Sequence, residues 1–205
     1  MGCDAFHSGQ QGALARRGAL FLLAGFAAVL WGCSPALNWR EVRVDGAPLQ
    51  ALMPCKPERA TREVPLLGLQ APSLPLHMLS CEASGATYAL AAALLPNGAP
   101  SIAEQAQQAW RLAAWASLKQ PLTPGATAPA GWAELPFAAP APVGLQRLSG
   151  WQGPGLAHNG QPLQARILWA QQGPWLVQVA VYAPSGASGV NEAWAIFTDG
   201  LRPQP

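Results

Sequence analysis

The last third of the chain constrains the fold most. Three runs of strand character follow one another, beginning with Val143–Trp151. In the second, Leu163, Ala165, Ile167 and Trp169 alternate with Gln164 and Arg166; in the third, Trp175, Val177, Val179 and Val181 alternate with Gln178 and Tyr182. Period-two alternation places one set of side chains on one face of a strand. The breaks are short: His158-Asn159-Gly160-Gln161 and Gln172-Gly173-Pro174. Asn-Gly reads as a two-residue hairpin turn in which both central positions take positive φ. Strands joined by such turns pair antiparallel.

The first half repeats the pattern. Trp39-Arg40-Glu41-Val42-Arg43-Val44 leads into Asp45-Gly46, and Leu49–Met53 returns before Pro54 and Pro57. Residues 58–65 are mostly charged or polar and read as a solvated loop or an edge strand. Leu74–Cys81 and Thr87–Leu95 flank Ser84-Gly85, a second hairpin signal. Ser101-Ile102-Ala103-Glu104 reads as a capping box opening a helix to about Lys119, with Ile102, Ala106, Ala109, Trp110, Leu112 and Ala113 on its apolar face. Trp110 and Trp115 fit a core better than a ligand box. A closing helix is expected from about Val190 to Asp199, stopped by Gly200. The expected fold is α+β, an antiparallel sheet built from hairpins with two amphipathic helices packed on one face.

Gly and Pro number 21 each, which in a weakly hydrophobic chain would indicate disorder. Here hydrophobic residues make up 50% and Trp occurs nine times, so a folded, loop-rich domain is expected.

Arg16-Arg17 precedes the uncharged run Gly18–Leu30, thirteen residues long. A spanning helix needs about 20 apolar residues, so this run matches the apolar core of a secretory signal. The following Leu30-Trp31-Gly32-Cys33 resembles the lipobox of bacterial lipoproteins, with Trp31 where that pattern prefers a small residue. The resemblance implies removal of residues 1–32, lipidation of Cys33 and a tether at 33–38. It places the protein on a membrane facing the periplasm, with Ser34 favouring the outer membrane. An uncleaved anchor and ordinary secretory cleavage are the alternatives. Of twelve basic and ten acidic residues, Arg16, Arg17 and Asp4 leave with the leader, so the mature part carries ten and nine. No basic stripe remains to neutralise phosphates, which excludes nucleic acid as a partner.

With Cys3 discarded and Cys33 lipidated, Cys55 and Cys81 remain. An even pair in an oxidising compartment reads as one disulfide. A zinc site with His77 is excluded, because four strand residues separate His77 from Cys81 by about 13 Å.

Residues 120–142 hold six prolines and seven alanines around Trp132 and Phe137. So long an irregular connection is either a partner-binding flap anchored by those two aromatics or an insertion folded over the core, the second being favoured.

The mature part, a single α+β domain over 39–203, resembles PsbP-like domains in outline, and also uncharacterised proteobacterial lipoproteins. The resemblance is carried by Leu49-Gln50-Ala51-Leu52-Met53-Pro54-Cys55-Lys56-Pro57, Tyr88-Ala89-Leu90-Ala91-Ala92, the mid-chain helix and Ala195–Leu201. It implies a surface that binds a protein partner, with no catalytic residues to carry over.

No catalytic motif is present. Gly-x-Ser-x-Gly does not occur, and Gly186-Ala187-Ser188-Gly189-Val190 lacks its last glycine. His77 and His158 are the two histidines after the leader, and no phosphate-cradling Gly-x-x-x-x-Gly-Lys exists. No enzyme, cofactor or metal is expected. The expected function is a non-enzymatic, lipid-anchored envelope protein that binds or helps assemble a protein partner. A small-ligand or lipid-binding lipoprotein is the alternative, and an unrecognised hydrolase a lesser one. A pocket above about 300 Å³ with an apolar lining would favour a ligand. An exposed apolar patch at Trp132 and Phe137 would favour a partner there, and His77 beside an acid and a hydroxyl would favour a hydrolase.

Overall fold

The structure, a computed structural model, describes residues 37–96, 100–136 and 144–204. Its elements are β1 (Arg40–Arg43), β2 (Leu49–Met53), β3 (Glu58–Val64), β4 (Leu74–Ala83), β5 (Ala86–Leu94), α1 (Pro100–Ser117), β6 (Ala133–Glu134), β7 (Gln146–Leu156), β8 (Pro162–Gln172), β9 (Trp175–Ala183), α2 (Val190–Asp199) and β10 (Arg202–Pro203). Seven strands form one sheet in the order β3-β4-β5-β9-β8-β7-β6, and three form a second, β1-β2-β10. Every neighbouring pair is antiparallel, so the class is α+β as expected.

Turn chemistry sets the hairpins. Ser84 (φ 51°) and Gly85 (φ 74°) both take the left-handed region between β4 and β5. The Asn159-Gly160 turn differs from the expected two-residue form. Gly160 N–H donates to Ala157 O, Asn159 keeps negative φ, and Gly160 follows at φ 81°. This is a three-residue loop ending in a left-handed glycine. The Asn159 side chain contributes, its Oδ1 accepting from Gln161 N–H at 3.1 Å. Pro100 is the first residue of α1, so Ser101 lies inside the first turn and is not the cap the sequence pattern suggests. At its other end Lys119, at φ 60°, lets Gln120 N–H reach Trp115 O and its own N–H reach Ala116 O, which satisfies carbonyls that the ending helix leaves open.

The helices do not share a face. Ala103, Ala106, Trp110, Ala114 and Trp115 of α1 pack with Ala91, Ala93, Ile167, Trp169, Leu176 and Ala180 on one side of the large sheet. Ala193 and Phe197 of α2 pack with Tyr88, Leu90, Leu168, Val177 and Val179 on the other, together with Leu49, Ala51 and Met53 of the small sheet. The reason lies in β8 and β9, which are buried on both faces: Leu168 and Ala170 oppose Ile167 and Trp169, and Leu176 and Ala180 oppose Val177 and Val179. A central strand of this kind needs a layer on each side.

Candidate functional site

Cys55 and Cys81 form the expected disulfide, with Cα atoms 5.9 Å apart. It joins the end of β2 to β4, and so ties the small sheet to the large one. Cys81 sits within the core on the α2 side, and Cys55 packs against that core. Cys33 and Phe137 lie outside the described residues.

Trp132 is placed in the core. It is 8% exposed, stands edge-on to Trp115 with centroids 5.8 Å apart, and donates from Nε1 to Pro154 O at 3.0 Å. Its ring lies against Gly153, where a Cβ would come within 2.5 Å of Trp132 Cγ. Next in the chain, β6 pairs with Trp151 and Gln152 of β7. Residues 131–135 are therefore stitched onto the sheet, and Trp132 offers no exposed patch for a partner. Arg111 completes this cluster, its guanidinium 5.5 Å from the Trp115 ring centroid and 5.8 Å from that of Trp151. Burial pulls its pKa down, opposed by the nearby Glu134 carboxylate.

His77 lies at a small hollow of about 170 Å³ that Asp45, Arg59 and Thr61 also line. Its Nδ1 is 3.4 Å from Thr61 Oγ1, and its ring tilts against Trp175. An imidazole, a hydroxyl and an acid thus line one hollow, but the acid is engaged elsewhere. Asp45 accepts from Arg59 at 2.8 Å, and the same guanidinium donates to Arg43 O. A triad needs the carboxylate on the imidazole and oxyanion donors facing the nucleophile, and neither bond appears among the described residues. Nor do three or more His, Cys, Asp or Glu side chains gather there as a metal would need. No helix among the described residues is long and apolar enough to cross a membrane.

The most suggestive feature lies on the other face of the large sheet and does not involve His77. On the α1 side of the large sheet, a groove of about 360 Å³ runs over β3, β4, β5 and β9. Register explains its lining. Ala60 lies opposite Met78, Met78 opposite Ala91, and Ala91 opposite Gln178; one row along, Ser80 faces Ala89. Residues directly opposite share a face, so Leu76, Met78, Ala89 and Ala91 make an apolar floor. Its depth comes from β5, which presents alanines to this face. The sequence signal was an alternating alanine series, Ala89, Ala91 and Ala93, which counts as core by hydropathy but leaves space by volume.

Two polar groups complete the groove. With its amide oxygen turned toward the indoles, Gln178 accepts from Trp169 Nε1 at 3.0 Å and Trp110 Nε1 at 3.2 Å. Those bonds tie Gln178 of β9 to Trp110 of α1 and to Trp169 of β8. Tyr182 is half-buried, and burial pushes its pKa up to about 12. Its phenol stays protonated at neutral pH, available as a donor. Glu58 and Arg62 stand exposed on the rim.

No protein-family model matches the chain, and no curated protein is significantly similar to it.

Proposed function

We propose that this is a non-enzymatic, lipid-anchored envelope protein, tethered through Cys33 at the periplasmic face of a membrane, that acts by binding a protein partner in the groove over β3, β4, β5 and β9. The observation that carries the reading is the groove itself: an apolar floor of Leu76, Met78, Ala89 and Ala91 with a protonated phenol beside it. Its β3 side is exposed along its length. Small-molecule sites enclose most of their ligand, whereas a groove open along a strand suits an apolar segment of another chain. The outer membrane is favoured through Ser34, and the resemblance to PsbP-like domains supports a partner-binding surface. The volume, which exceeds about 300 Å³, also supports a second reading, in which the groove holds an acyl chain or another small apolar ligand.

Ala89 is half-buried on the groove floor and faces away from the α2-side core. Ala89→Trp is expected to fill the groove at a cost of about 1–3 kcal/mol for the added bulk beside the α1-side core, and its urea midpoint checks that the variant stays folded. Affinity capture of the lipidated protein from native membranes should then yield a stoichiometric partner with the wild type and lose at least about 90% of it with Ala89→Trp, a tenfold affinity change. Retention of the partner by Ala89→Trp would remove the groove from the account. An absent partner together with wild-type-specific lipid in the purified protein would favour the second reading.

A further inference from the structure

We propose that β3 is a self-pairing edge: two copies of this chain join antiparallel along Glu58–Arg62, about a two-fold axis at Ala60, into one continuous sheet.

The strand stands at the end of the seven-stranded order and pairs with β4 through seven registered positions, Glu58 to Val64, without a bulge. No described strand covers its outer side. Proteins ordinarily blunt such an edge with charged side chains, a proline inside the strand, a bulge or a very short strand; β3 carries four charges of both signs, and neither a proline nor a bulge. Here Pro57 and Pro65 only bracket the strand. At the other end of the sheet, β6 is two residues long, so β3 is the longer of the two terminal strands among the described residues.

The occupant follows from charge order. Within Glu58-Arg59-Ala60-Thr61-Arg62, an acid and a base stand two positions either side of Ala60. In antiparallel pairing centred on Ala60, Glu58 faces Arg62 of the second copy, Arg62 faces its Glu58, and the two alanines meet at the axis. Opposite charges directly across a strand pair stabilise it, and like charges destabilise it. Moving the centre to between Ala60 and Thr61 sets Glu58 against Glu63 and Arg59 against Arg62, so that register is disfavoured. Centring on Thr61 instead relies on Arg59, which already binds Asp45 and Arg43 O. Glu58 and Arg62 have no ion pair or hydrogen bond among the described residues, so both are free for the Ala60 register. Both point to the groove side with Met78 and Ser80, and pairing would merge two grooves into one trough across the axis. The interface is isologous, and the short β6 edge ends the assembly at a dimer. This inference does not depend on what occupies the groove.

The test uses the full chain in mild detergent, with self-association measured by sedimentation and by oxidative cross-linking. The wild type is expected to dimerise. Ala60→Cys should cross-link to a dimer beyond the background of the wild type's own cysteines, since opposed Cβ atoms lie about 4.5–5.5 Å apart. Arg62→Glu and Glu58→Arg should each weaken self-association on the order of tenfold. The double variant Glu58→Arg/Arg62→Glu should restore it, and mixing the two single variants should give a heterodimer, which also shows that each is folded. A monomeric wild type at its highest soluble concentration, or a dimer indifferent to every one of these changes, would overturn the proposal.

Discussion

Trp132→Ala is expected to lower the unfolding free energy by about 3–5 kcal/mol, the range for removing a large aromatic side chain from a core. Three losses add. The buried indole leaves a void beside Trp115 and Gly153, the edge-on contact with Trp115 disappears, and Pro154 O loses its donor. In urea the midpoint should fall without a change in slope, the signature of altered stability alone. Gly153→Ala supplies the partner experiment. Its Cβ would meet the Trp132 ring at 2.5 Å, so this substitution too should destabilise the protein strongly. In the double variant the new methyl group enters the space that Trp132 vacates. The cost should then be well below the sum of the two single costs, because the residues touch. A loss under about 1 kcal/mol for Trp132→Ala would place the ring at the surface, as typical for exposed substitutions, and would restore it as a partner anchor.

Cys55→Ala/Cys81→Ala should cost about 3.5 kcal/mol, from the loop-closure entropy of a bridge spanning 26 positions. Cys81 also belongs to the core on the α2 side, so some packing is lost as well. The effect should concentrate where the bridge acts, between β2 and β4. Hydrogen exchange should rise first in β1, β2 and β10, which are then held to the large sheet by side-chain packing, chiefly of Leu49, Ala51 and Met53, and by the bonds from Arg59 to Arg43 O and Asp45 and from Gln172 to Pro48 O. Alkylation should modify neither cysteine until the protein is reduced. Two thiols reactive without reductant would mean that the sheets are not covalently joined.

The strands were legible because their side chains alternate and their turns carry Asp-Gly, Ser-Gly and Asn-Gly. Residues 49–53 and 190–199 form the strand and helix that the pattern predicts. The sidedness of the helices was not legible. Alternation marks one face of β8 by Leu163, Ala165, Ile167 and Trp169, and Leu168 and Ala170 look like breaks in that pattern when they are a second buried face. Trp132 sits in a segment whose prolines suppress any period, so sequence pattern cannot tell a flap from a folded insertion. Its seat left a trace elsewhere: glycine inside a strand often marks a close approach, and Gly153 and Gly155 in β7 receive Trp132 and Leu118. The short β10 pairing with Leu49 and Gln50 carries no alternation at all, since two residues hold no period. The groove was missed for a different reason. Hydropathy weighs Ala89 and Ala91 as apolar, and only their small volume makes a hollow.

The structural account and the proposed address meet at Cys33. On the proposed reading, a lipid there would supply the membrane tether, account for the oxidising compartment in which Cys55 and Cys81 pair, and present the groove to partners in the envelope. Intact mass spectrometry of the protein purified from its native membrane is the most direct measurement. The account predicts a chain that begins at Cys33 and carries a diacylglyceryl thioether, with Cys33→Ser accumulating as an unprocessed precursor. A mature protein that retains residues 1–32, or one that begins elsewhere without lipid, would contradict it.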